Sequence, residues 1–204
     1  SGLFLAVTAP LLAVTALAVR LRLGSPVLFR QERAGQGGAP FEMVKFRTMR
    51  HPQPGQEGPE HDGDRITRLG RLLRATSLDE LPTLVTVLRG RMSLVGPRPL
   101  PPRYLPRYSE RHARRHDVRP GITGYAQSHG RNNLSWDEQL DLDVWYVEHR
   151  GLRLYLRVLA RTAITVARRE GVSQEGHDTR PEFTGSAETH AEATAPHPVE
   201  AGAA

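Results

Sequence analysis

The sequence predicts an α/β protein, mostly α, built around one compact core. Three observations carry that reading. An uncharged apolar stretch of helical length opens the chain, two β-prone runs flank a glycine-rich turn, and apolar residues then recur at helical spacing over much of the remainder. The 204 residues suffice for one domain with appendages. There is no cysteine, which excludes a disulfide scaffold, a zinc–thiolate site and a cysteine nucleophile.

Residues 1–19 carry no charge. Leu3 to Val19 is a nearly continuous apolar run, interrupted by Pro10 and closed by Arg20 and Arg22. As a straight helix it reaches roughly 25 Å, short of the roughly 30 Å hydrocarbon core of a bilayer. Pro10 removes a helix hydrogen bond and should kink the axis. A spanning helix, a buried core helix and a bent helix entering one leaflet all fit; length and the proline favour the last two. A signal peptide would place its charges before the run, not after it.

Residues 27–47 read as a hairpin, with Val27-Leu28-Phe29 and Phe41 to Phe46 separated by Ala34-Gly35-Gln36-Gly37-Gly38. Residues 51–64 hold three Pro, three Gly and no aliphatic or aromatic side chain, the composition of a mobile surface loop. Helix signals resume at Thr67. Leu81, Leu84, Val85 and Leu88 follow the spacing of one helix face, with Gly90 after its end. Five prolines over residues 96–106 exclude a regular helix there.

Over residues 149–171, Arg150, Arg153, Arg157, Arg161 and Arg168 mark one side of a helix, and Leu152, Leu156, Leu159, Ala163 and Val166 another. A cationic stripe beside an apolar one suits a helix lying among lipid headgroups, with Tyr155 as an anchor. The Ala-rich residues 185–204 read as a disordered tail. The chain thus divides into an apolar helix at 1–23, a main body at 24–184 and the tail.

Charge narrows the partners. The chain carries +6 with a pI near 10.4. Setting aside the tail, with its three Glu and no Lys or Arg, raises the balance of the rest to +9. Such a body favours nucleic acid, phosphorylated ligands or anionic lipid. Of the 28 basic residues only Lys45 is a lysine.

Ser77-Leu78-Asp79-Glu80-Leu81-Pro82 opens a predicted helix. By local sequence its carboxylates are caps: Ser77 with Glu80 matches a capping box, and Asp79 could itself be the N-cap. The same geometry has a chemical use, since a carboxylate at a helix start can attack phosphorus or hold a divalent ion. Arg71 and Arg74, Val95-Gly96-Pro97-Arg98-Pro99, Arg119-Pro120-Gly121-Ile122-Thr123-Gly124 and Gly130-Arg131-Asn132 supply cations, mostly in stiff turns suited to phosphate. None matches a Walker loop or a dinucleotide fingerprint. No Ser/His/Asp arrangement or zinc spacing is present.

Taken together, Lys45-Phe46-Arg47-Thr48-Met49, the Ser77–Pro82 run, the Val95 and Arg119 turns, Gly130-Arg131-Asn132 and Leu142-Asp143-Val144-Trp145-Tyr146-Val147 resemble the bacterial sugar transferases. More narrowly, they resemble the catalytic domain of monotopic polyprenyl-phosphate phosphoglycosyl transferases, over about residues 3–184. The resemblance implies transfer of a sugar-1-phosphate from a UDP-sugar to undecaprenyl phosphate, with release of UMP, Mg²⁺ dependence and a covalent phosphosugar–enzyme intermediate. The product would initiate a glycan such as an exopolysaccharide, O-antigen or glycoprotein glycan. Asp79 would be the nucleophile and a Mg²⁺ ligand, and Glu80 the second catalytic carboxylate. Arg74, Arg98 and Arg131 would meet phosphates, and Lys45, Arg47 and Asp143 match other polar positions of the substrate site. The first helix would be re-entrant, interfacial helices would surround the catalytic core, and the enzyme would sit on the cytoplasmic face of the bacterial inner membrane, which the Arg20/Arg22 flank also suits. Membrane lipid is then a partner, nucleic acid is not, and a homodimer stays open.

The chain departs from the family at Ala9-Pro10, where Ser-Pro is usual, at Tyr125 in place of Trp, and at Ser128-His129. Gly171 to His177 with Phe183-Thr184-Gly185 resembles short members that transfer an N-acetylated amino sugar phosphate such as that of diacetylbacillosamine, with galactose, glucose and N-acetylglucosamine phosphates as alternatives. The competing readings are a membrane-surface module without activity and, from charge alone, a nucleic-acid binder.

Overall fold

The computed structural model of the chain describes residues 2–55, 61–129, 134–168 and 182–185. Helix α1, Gly2–Leu23, continues through Pro10. A proline removes one N–H, and the hydrogen bonds on either side carry the helix onward. Leu12, Ala16, Val19 and Leu23 fall on one face and pack with Phe46 and Leu73. Leu11, Val14, Leu17 and Leu21 are exposed on the other, Leu21 by 75%. Among the described residues no helix is long and apolar enough to cross a membrane.

The expected hairpin is present. Strands β1, Leu28–Ala34, and β2, Pro40–Phe46, pair antiparallel from Leu28↔Phe46 to Ala34↔Pro40. The turn between them is a short 3-10 piece over Gln36–Gly38, where Gly37 and Gly38 take positive φ. Strand alternation puts Phe41, Met43 and Lys45 on one face of β2, the first two buried against Met92.

Residues 56–60 of the expected mobile loop lie outside the described residues. Its end forms a single turn, α2, Asp62–Arg65, and Ile66 bridges to Met49. Helix α3, Arg68–Ala75, begins as predicted: the Thr67 hydroxyl accepts from the Gly70 N–H at 3.0 Å.

The next helix differs from expectation. Leu78–Thr83 is a 3-10 segment, and the α-helix, α4, covers only Leu84–Leu88. Pro82 has no N–H to give to an i−4 carbonyl, so the tighter winding persists until it is passed. The capping box is not formed. Ser77 sits at φ 56, in the left-handed region, and its side chain makes no cap. That turn follows the end of α3 and sets off the segment bearing Asp79 and Glu80.

Strands β3, Ser93–Val95, and β4, Gly121–Thr123, pair in parallel. Their glycines are required by contact: a Cβ on Gly121 would stand 2.1 Å from the Gly96 nitrogen, and one on Gly96 2.4 Å from the Arg119 oxygen. The proline-rich stretch after β3 is not α-helical, as predicted, and winds as 3-10 over Pro102–Arg107.

Three short or long helices complete the middle of the domain: α5, Glu110–Ala113, α6, Tyr125–His129, and α7, Trp136–His149. Helix α7 opens with a capping box between Ser135 and Glu138. Helix α8, Leu152–Arg168, follows. It buries Leu154 and Val158, whereas Leu152, Leu156 and Ile164 face outward beside exposed Arg153 and Arg157. The apolar side read from the sequence is therefore split between core and surface. Arg161 is engaged too, donating to the Ser128 carbonyl at 2.7 Å. The side chain of Arg168 and the segment Gly171 to His177 lie outside the described residues, as do residues 186–204 of the expected tail. Phe183, however, is fully buried, its ring 5.2–5.6 Å from those of Tyr104, Tyr108 and Trp136.

Candidate active site

The 3-10 segment hangs from β2, with the Thr83 hydroxyl donating to the Val44 carbonyl at 2.9 Å. This fastening brings Glu80 to Lys45, which strand alternation has aimed inward: Nζ lies 2.5 Å from Oε1. Arg98, from the Gly96–Pro99 turn, reaches the same oxygen at 3.4 Å. Burial by itself would raise the Glu80 carboxyl, but the charges of Lys45 and Arg98 overrule it and hold it down at about 2. Burial likewise draws the Lys45 ammonium below its ordinary value, against the pull of Glu80.

Asp79 is different. It is 8% exposed, and among the described residues its carboxylate has no hydrogen-bond or ion-pair partner. Burial, then the Glu80 charge, pushes it up to about 6, while Lys45, Arg74 and Arg98 oppose the rise. At neutral pH it is largely ionised, desolvated and uncommitted, which is the state of a nucleophile. The pair thus splits, with one carboxylate clamped and the other free.

The other expected residues divide. The Arg74 Nε donates to the Thr48 hydroxyl at 3.1 Å, and its charge acts on Asp79. Arg131 lies outside the described residues. Arg47 points away from the pair: it donates to the carbonyls of Leu23, of Gly24 at 2.9 Å and of Ser25 at 3.3 Å, and contacts His51. It therefore neutralises the carbonyl end of α1 and clasps that helix to β2. Asp143 is 2% exposed and faces Arg115, at 2.7 Å.

Arg115 was not distinguishable in the sequence among 27 arginines. Its Nη2 also donates to the Arg98 carbonyl at 2.7 Å, and its guanidinium lies over the Tyr108 ring. Asp143 and Arg115 thus set the backbone from which Arg98 reaches Glu80. No spacing signal marked Arg115, because its partners come from α7 and from the turn after β3.

Beside Glu80 is a narrow recess of about 20 Å³ lined by Arg33, Met43, Lys45, Glu80, Arg98 and Ile122, among others. It has room for about one water-sized group, and it is partly open to solvent. Among the described residues no group of three His, Cys, Asp or Glu could hold a metal. Mg²⁺, however, is commonly held by one or two carboxylates with substrate phosphates and water. With Glu80 occupied by two cations, Asp79 fits that part.

The chain matches the family model described as bacterial sugar transferase over residues 1–169. The chain belongs to the bacterial sugar transferase family. It is 48% identical over 179 residues to the uncharacterized sugar transferase EpsL of Bacillus subtilis, covering 88% of this chain and 89% of that one. It is 43% identical to the UDP-glucose:undecaprenyl-phosphate glucose-1-phosphate transferase of Caulobacter vibrioides, covering 79% of this chain and 64% of that one. It is 36% identical to the undecaprenyl-phosphate galactose phosphotransferase of Salmonella typhimurium, covering 74% of this chain and 35% of that one. This sugar transferase thus spans most of EpsL and about a third of the Salmonella relative. The family and the enzyme class read from the motifs, phosphoglycosyl transfer, are those named for these relatives.

Proposed function

We propose that the protein transfers a sugar-1-phosphate from a UDP-sugar to undecaprenyl phosphate, through a covalent phosphosugar–Asp79 intermediate. The observation that carries the reading is the divided pair: a buried Asp79, without a hydrogen-bond partner among the described residues, beside a Glu80 locked by Lys45 and Arg98. Asp79 attacks the phosphorus that bears the sugar, and UMP leaves with the electrons of the broken P–O bond. The phosphate oxygen of the lipid then attacks the same phosphorus and frees Asp79. Glu80 keeps Lys45 and Arg98 in place, so that positive charge faces the phosphates as negative charge spreads in the transition state. Mg²⁺, held by Asp79 and the donor diphosphate, would neutralise phosphate charge.

The setting is the bilayer surface. The exposed apolar faces of α1 and α8, each next to arginines, support a re-entrant α1 on the cytoplasmic face of the bacterial inner membrane, with α8 at the headgroups. The donor is drawn from glucose and galactose, the sugars named for the relatives above, together with diacetylbacillosamine.

The test is UMP release from a panel of these UDP-sugars with Mg²⁺ and undecaprenyl phosphate in nanodiscs. Lipid-dependent release with one donor is expected, with a phosphosugar adduct on the intact protein when lipid is withheld. In Asp79→Asn both vanish; normal turnover in that variant would refute the mechanism.

A further inference from the structure

We propose that Arg33 is a further phosphate-binding residue of this site, holding the phosphate that departs with the nucleotide rather than the one Asp79 attacks. The inference rests on the phosphosugar-transfer reading above. Nothing in the sequence separates Arg33 from the other arginines of the hairpin. Register does. Arg33 stands opposite Phe41, on the face shared by Gln31, Met43 and Lys45. That face turns Arg33 into the recess that Lys45, Glu80 and Arg98 also line.

Its bonding is incomplete. Among the described residues its one side-chain hydrogen bond is from Nη2 to Gln31 Oε1, at 2.5 Å on its own strand. Nε is buried with no partner, and among the described residues no carboxylate pairs with Arg33. A buried, unsatisfied guanidinium N–H calls for a group that binds there. Charge says the same. Three cations, Arg33, Lys45 and Arg98, surround one carboxylate, and Lys45 and Arg98 already share it. Burial, then the nearby Arg98, lowers Arg33 to about 10. An anion relieves both the desolvation and the repulsion.

Position assigns the phosphate. Asp79 and Arg74 do not line this recess, and Arg33 is not among the strongest charges acting on Asp79. The recess is beside the nucleophile, on the side of Glu80. When Asp79 bonds to the sugar-bearing phosphorus, the P–O bond to the neighbouring phosphate breaks and that oxygen keeps the electron pair. The charge that appears on the leaving UMP is met by Arg33.

The experiment compares Arg33→Gln, Arg33→Lys and, as a surface control, Arg30→Gln, whose residue pairs with Glu42 on the outer face. In Arg33→Gln the KM for the UDP-sugar and the inhibition constant for UMP should both rise about tenfold or more, the loss of one charge-assisted contact. Transfer from preformed phosphosugar–enzyme to lipid phosphate should change less than about threefold, since UMP has gone by then. Unchanged UMP inhibition, or equal loss in both half-reactions, overturns the proposal. Should Arg33→Gln not fold, Arg33→Lys decides: an ammonium does not reproduce the fork, so UMP inhibition still weakens, and no change overturns the idea. If the wild type releases no UMP from any donor, the reaction assigned above fails. Binding of inorganic pyrophosphate still judges Arg33: loss in Arg33→Gln with retention in Arg30→Gln upholds the anion site, and equal binding removes it.

Discussion

Asp79 and Glu80 are neighbours in sequence with opposite displacements, and the two respond to pH in opposite senses. Asp79 is raised to about 6, so activity that needs its carboxylate should fall as pH drops through about 6. A pH–rate profile of kcat/KM should show this acid limb. The same shift costs stability. A raised folded value favours the protonated form, so the stabilisation present below the unfolded value near 3.8 is lost as pH rises to about 6. Asp79→Asn, while inactive, should therefore be more stable than wild type at pH 7, by up to about 3 kcal/mol. Denaturant melts at pH 4 and pH 7 check this, and the difference should shrink at pH 4. Glu80, held at about 2, stabilises the fold above about 4.5 and loses that contribution as pH falls toward 2. Glu80→Gln should be both slower and less stable, since it leaves Lys45 and Arg98 facing each other. Near-wild-type rates would remove it from the mechanism.

Elements show what the sequence could and could not disclose. The hairpin, α3 with its Thr67 cap and the proline-rich stretch were legible, because each is decided by neighbours a few residues apart. The Asp79 segment winds as 3-10 where its local sequence predicts a capped α-helix. Capping residues were present, but Pro82 and the left-handed Ser77 decided the winding. Ser77 pays for that geometry, since a left-handed residue other than Gly is strained. Ser77→Val should cost about 1–2 kcal/mol and lower turnover, because a β-branched side chain tolerates that region poorly. Asp143 was picked out by motif, yet its contact with Arg115 joins residues 28 positions apart and could not be seen. The pair is buried, so removing one charge strands the other. Asp143→Ala should lose about 3–5 kcal/mol in chemical unfolding, and the folded fraction should show a raised KM as Arg98 drifts. Phe183 follows the same logic from beyond the family match: Phe183→Ala should cost about 3–5 kcal/mol by emptying the space between Tyr104, Tyr108 and Trp136.

At the scale of the molecule, net charge and the apolar start point to an anionic, lipid-bearing partner. Arg47 sharpens that picture, since its guanidinium joins the end of α1 to the end of β2. Deleting residues 1–19 should release the protein from liposomes containing anionic lipid, as flotation would show. Continued flotation would move the anchoring to α8 alone. Arg47→Gln should leave flotation intact and reduce turnover, because helix and active site would no longer be held together.

That connection has a kinetic corollary. Leu78, next to Asp79, packs in the same cluster as Val19 of α1. On the proposed membrane seating, the depth to which α1 sinks would therefore fix the height of Asp79 above the lipid. An enzyme so mounted would meet its acceptor by diffusion in two dimensions. Its rate should follow the mole fraction of undecaprenyl phosphate in the bilayer, falling on surface dilution with inert lipid even when the amount of acceptor per millilitre is unchanged.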